Sequence, residues 1–70
     1  MYIVYEGSTL HNRYRLVGMF DTFEGAEKAR RLTNQISDLL GREDLFSGMT
    51  TEFSSWEEFL KSKGLHSDLD

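Results

Sequence analysis

Only two histidines could act as neutral-pH bases, His11 and His66, and neither is spaced from a Ser, Thr or acidic residue in a way that builds a nucleophile–base–orienter frame. There is no cysteine, so thiolate chemistry, disulfides and cysteine-ligated zinc are all excluded. No His-x-x-x-His or calcium-loop spacing occurs, and Glu43 with Asp44 offers too few oxygens to hold calcium. The glycines at 7, 18, 25, 41, 48 and 64 are scattered as turn and cap residues, not gathered into a phosphate-cradling loop. The expectation is a chain that binds without catalysing, with no metal and no cofactor.

The remaining chemistry is charge. The chain has a net charge of −4, unevenly spread. Up to Arg31 there are five basic and four acidic residues; from Leu32 onward there are three basic and eight acidic. Asp38, Glu43, Asp44, Glu52, Glu57 and Glu58 are therefore the candidate partner-binding residues. Carboxylates set a few ångströms apart can imitate the phosphate rows of a duplex before a basic DNA-binding protein. The competing reading is that Glu57 and Glu58 cap a helix while the others solvate a small domain.

Two further surfaces compete with the acidic one. Leu45, Phe46 and Trp56 could anchor an apolar protein contact or self-association. Tyr2, Tyr5 and Tyr14 with Arg13 and Arg15 could form a sheet face that stacks bases and neutralises phosphates, although half-buried tyrosines and arginines paired with Glu6 or Glu52 explain the same residues without a ligand. Lys28, Arg30 and Arg31 fit a solvated helix face, with Glu24–Lys28 and Glu27–Arg31 at four-residue spacing.

The elements that must position these groups follow from local pattern. Seventy residues suffice for one domain and not for two. Met1–Tyr5 and Arg13–Phe20 are rich in β-branched and aromatic residues and flank turn-forming Glu6-Gly7-Ser8 and His11-Asn12, which predicts an antiparallel hairpin. In its second strand Tyr14, Leu16, Gly18 and Phe20 share the core-facing side, with Gly18 marking a bulge or a close approach. Asp21-Thr22-Phe23-Glu24 opens a helix whose apolar stripe is Ala26, Ala29, Leu32, Thr33, Ile36, Leu39 and Leu40, ended by Gly41.

Arg42 to Gly48 reads as a loop, and Met49–Phe53 as a third strand with Met49, Thr51 and Phe53 inward. Ser54 with Glu57 and Ser55 with Glu58 are overlapping capping boxes for a short helix that Gly64 ends, with Leu65 folding back on Phe59 or Leu60. The expected core is Phe20, Phe23, Phe53, Trp56 and Phe59. The predicted fold is α+β, a small three-stranded antiparallel sheet with one long and one short helix in the order β-β-α-β-α. It occupies residues 1–65, followed by a polar tail over 66–70. No apolar run reaches membrane-spanning length, and Met1–Tyr5 is too short for a signal-peptide core, so an unprocessed cytoplasmic chain is expected.

The string Leu16-Val17-Gly18-Met19-Phe20-Asp21-Thr22-Phe23-Glu24-Gly25-Ala26-Glu27-Lys28-Ala29 resembles a pattern of short phage accessory proteins. In these a hairpin ending Val-Gly-hydrophobe-Phe-Asp runs into Glu-x-Ala-x-x-Ala. The resemblance covers positions 1 to about 40 and speaks to architecture. Size, acidity and layout are also similar to early host-takeover proteins of large Bacillus-infecting phages, among them acidic inhibitors that occupy the DNA-binding surface of the nucleoid protein HU. That resemblance implies a DNA-mimicking inhibitor of a basic host protein such as HU, acting in the host cytoplasm without touching nucleic acid itself.

Overall fold

The computed structural model describes residues 1–64. It contains β1 (Tyr2–Ser8), β2 (Arg13–Phe20), α1 (Phe23–Leu39), β3 (Leu45–Thr50) and α2 (Trp56–Ser62). The three strands form one antiparallel sheet in the order β2-β1-β3, an α+β arrangement with the element order β-β-α-β-α that the patterning predicts.

β1 is the middle strand, with both of its edges paired, and helices cover both of its faces. Successive residues point to opposite sides, and Ile3 and Val4 are both fully buried. On one side Ser37 of α1 reaches Glu6, and Ser47 reaches the α1 backbone at Arg30. On the other, Phe59 of α2 packs its ring against Tyr5 and Tyr14. The sheet is thus the middle layer between two helices, one longer by ten residues than the other.

The hairpin carries a bulge. Val4 opposes Gly18 while Tyr5 opposes Leu16, so Val17 is the extra residue. This shift corrects the single core-facing set expected for β2. Tyr14 and Leu16 face α2, whereas after the bulge Gly18 and Phe20 face α1. Gly18 is needed there because the Phe20 ring lies where a side chain would stand, 2.9 Å from a built Cβ. Asn12 closes the turn at φ 50°, a conformation asparagine tolerates better than most residues.

Local signals set the helix ends. Thr22 caps α1 by accepting the Gly25 N–H at 3.2 Å, and Ser55 caps α2 by accepting that of Glu58 at 3.2 Å. Glu58 reaches back to the backbone N–H and hydroxyl of Ser54, so the expected reciprocal box closes one residue earlier than on Ser55. At the C-terminus of α1, Gly41 (φ 69°) donates to Asp38 and Arg42 donates to Ser37, a Schellman arrangement that only a left-handed residue permits. Gly64 (φ 74°) ends α2 in the same conformation. The expected return of Leu65 onto Phe59 or Leu60, and the tail over 66–70 with His66, lie outside the described residues.

Three further expectations are corrected: the first strand runs through Glu6-Gly7-Ser8, expected as part of the hairpin turn, because these residues pair with both β2 and β3. The third strand runs Leu45–Thr50, not Met49–Phe53, and Arg42–Gly48 is not wholly a loop. Alternation suggested the later register, but Gly48 is the residue that must oppose Tyr5, because the Tyr5 ring crosses it so closely that a built Cβ would lie 2.5 Å from the Tyr5 hydroxyl. Phe23, expected in the core, is half exposed and only edges Tyr2, while Ile3, Val4, Ala26 and Leu60 join Phe59 as the buried apolar set.

Candidate functional site

The six candidate acids are not gathered on one face. Asp38 ends α1, and Glu43 and Asp44 follow in the turn to β3, at the end of the sheet where Ser8 meets Leu45. Glu52 lies past the opposite end of β3, about 17 Å away for five strand steps of ~3.4 Å. Glu57 and Glu58 open α2 beneath the other face of the sheet. Two of the six have structural duties: Asp44 accepts the Ser8 hydroxyl at 2.9 Å, and Glu58 caps α2 through Ser54. Those Ser54 hydrogen bonds hold the Glu58 carboxyl below its ordinary pKa. Asp38, Glu43, Glu52 and Glu57 are exposed and make no ion pair among the described residues.

The apolar alternative also changes. Trp56 stacks on Phe59 with ring centres 4.9 Å apart, and Phe46 packs edge-on to Tyr14 while crossing Gly7. Leu45 is half-buried in β3. Trp56 and Leu45 are structural first, and Phe46 keeps only part of its ring in water.

The exposed apolar surface lies instead on α1. The residues turned to the sheet are small or polar, Ala26, Thr33 and Ser37, and Leu32, Ile36 and Leu39 sit roughly 120° round the helix at ~100° per residue. Leu39 is 86% exposed and Leu40 66%, with Leu32 and Ile36 at half or more. Periodicity groups all seven stripe residues without saying which half the sheet takes. What turns the helix is Ser37, buried to donate to Glu6 Oε2 at 2.8 Å. The other Glu6 oxygen accepts from Arg15 at 3.0 Å, the pairing expected for that arginine.

At the C-terminal end of α1 the two signals meet. Leu39, the last residue of α1, directly follows Asp38, and Leu40 at its C-cap stands three residues before Glu43; both leucines are strongly exposed and both acids are free of ion pairs among the described residues.

The nucleic-acid alternative meets a divided set of rings. Tyr5 and Tyr14 pack edge to face with each other and against Phe59, and burial pushes the Tyr5 hydroxyl's pKa up, with Tyr14 adding to the shift. Tyr2 lies on the opposite side of the sheet against Phe23. On the helix face Glu27 pairs with Arg30, three residues on, in place of the expected Arg31, and the Arg30 bond holds the Glu27 carboxyl below its usual range.

Among the described residues no three His, Asp or Glu side chains converge as a metal cluster, and no helix is long and apolar enough to cross a membrane. Comparison with protein-family models, curated protein sequences and solved structures finds no match to this chain.

Proposed function

We propose that this protein is a non-catalytic binding module whose partner is a protein with a basic, partly apolar surface, engaged at the C-terminal end of α1. The observation that supports this reading is the juxtaposition of solvent-facing Leu39 and Leu40 with the unpaired acids Asp38 and Glu43. Exposed leucines gain from being covered, at roughly 25 cal/mol per Å² of apolar area. Carboxylates beside them steer a basic partner and reject an acidic one.

A DNA-binding protein of a host cell, such as a nucleoid protein of the HU kind, has the required basic surface, and occupation of that surface would compete with DNA. In this form the mimicry draws on Asp38, Glu43 and Asp44 at one corner. Glu52, Glu57 and Glu58 play no part in the contact.

The test is affinity for purified HU across a salt series, with Leu39→Lys/Leu40→Lys and Asp38→Lys/Glu43→Lys proteins alongside the parent. Both double variants should weaken binding at least about tenfold, and the parent's affinity should fall steeply with salt. Salt-independent binding, or full binding by either variant, would overturn the reading. Concentration-dependent dimerisation that Leu39→Lys/Leu40→Lys abolishes, without any binding to HU, would assign the same surface to a second copy of the chain.

A further inference from the structure

The acidic end of the molecule stands beside a cleft of the opposite sign. A concavity of about 420 Å³ is walled by residues from the hairpin, the turn leading into β3, and α2. Three arginines, Arg13, Arg15 and Arg42, are among the residues that line it, against a single acid, Glu6. That carboxylate is already engaged, one oxygen by Arg15 and the other by Ser37. Arg13 and Arg42 are exposed and have no ion-pair partner among the described residues. A chain with four more acids than bases thus concentrates two unneutralised arginines in one hollow. Of the two acids that follow Arg42 in the chain, Asp44 is turned to the Ser8 hydroxyl and Glu43 forms no ion pair among the described residues.

The other walls are flat and apolar. Tyr14, Leu16 and Trp56 reach the cleft from the α2 side of the edge strand β2, the side opposite Arg13, Arg15 and Glu6; Trp56 stacks on Phe59, Tyr14 meets Phe59 edge-on with Lys63 Nζ 5.9 Å from its ring centre, and Leu45 completes the lining. Pockets for small ligands typically combine this kind of apolar wall with a few fixed polar groups, in volumes of about 300–1,000 Å³. Guanidiniums present planar forks of donors that match the oxygens of a phosphate, and braced rings offer surfaces for a flat heterocycle.

We propose that this cleft binds a small phosphorylated molecule with a flat ring system, of the nucleoside monophosphate class. Arg13 and Arg42 take the phosphate, Arg15 is held in place by Glu6, and Tyr14 and Trp56 take the ring. None of the α1 leucines lines the cleft, and although Arg42 adjoins Glu43, binding of AMP and binding of HU are read separately, so either reading can fail without the other.

The experiment is an NMR titration of the whole chain with AMP, inorganic phosphate and adenosine, following the Arg13 and Arg42 Nε–H and Trp56 indole signals. Ligand is taken to about 10 mM, beyond the micromolar-to-millimolar range usual for metabolites. AMP should shift all three signals and bind at least about tenfold more tightly than phosphate or adenosine alone. Arg13→Gln/Arg42→Gln should lose that preference about tenfold or more. Neither side chain makes a hydrogen bond or ion pair among the described residues, so the variant should melt with the parent; if it does not, Arg42→Gln alone is used. Absence of shifts, equal affinity for AMP and phosphate, or retained binding by the variant would overturn the proposal. So would affinity that climbs with oligonucleotide length, which would assign the arginines to a nucleic-acid surface.

Discussion

The two faces of the sheet are covered by different means. Under α2 the cover is aromatic: Phe59 is touched by the rings of Tyr5, Tyr14, Phe53 and Trp56, and strand glycines 7 and 48 exist to let Phe46 and Tyr5 lie flat. Under α1 the cover is small and polar, Ala26, Thr33 and Ser37, with the larger apolar residues left on the outer flank. Seven residues of α2 bury a dense ring cluster, whereas seventeen residues of α1 leave three large aliphatic side chains in water, with Leu40 of the C-cap a fourth. A short helix can be the stronger packing element when its single anchor is large, and a long one can keep apolar surface free for another use.

Substitutions should separate the faces. Phe59→Ala strikes the aromatic side at its centre and should cost ~3–5 kcal/mol, comparable to the whole stability of a domain this small. Urea titration or thermal melting should find it largely unfolded. Gly48→Val should cost about 1–3 kcal/mol because the new side chain must displace the Tyr5 ring, and Tyr5 near-ultraviolet dichroism should change with it. If both variants are tolerated, α2 does not seal its face.

The helical side should give less. Ser37→Ala removes the hydroxyl that turns α1 onto the sheet and should cost roughly 1–2 kcal/mol, read as a lower urea midpoint. The carboxyl of Glu58 is depressed by the Ser54 hydrogen bonds, so its contribution to stability is present above its unfolded-state pKa and disappears as pH falls through the lower folded-state value. Glu58→Gln should accordingly flatten the fall in melting temperature on acidification below about pH 4.5. Smallest of all, Leu39→Lys/Leu40→Lys should leave stability within about 0.5 kcal/mol, which would confirm that the outer flank carries none of the fold.

Helix ends were legible from sequence because caps are local: Thr22, Ser55, Gly41 and Gly64 act on backbone within a few residues of themselves. Features decided at a distance were not. The register of β3 depends on where the Tyr5 ring crosses, 43 residues earlier in the chain. The rotation of α1 depends on Ser37 finding Glu6, and hydrophobic periodicity favours the leucines for burial over a serine. At the candidate sites, the individual acids and arginines could be picked out by type, but their grouping could not. Adjacency in the chain suggested one acidic set, and topology divides it; Arg42 belonged to no predicted cluster, and only the fold brings it near Arg13.

The central place of β1 also governs how the chain must assemble. Its pairing with β2 closes a short hairpin, but its pairing with β3 joins residues as far apart as Ile3 and Thr50. The loop-closure entropy of that second pairing must be met before its contacts exist, so the expected order is hairpin and α1 on local contacts first and β3 last, to be checked by stopped-flow refolding with pulsed hydrogen exchange. Until β3 docks, the middle strand has one open edge. The interval between hairpin formation and β3 docking is therefore when this protein is most exposed to pairing with another chain.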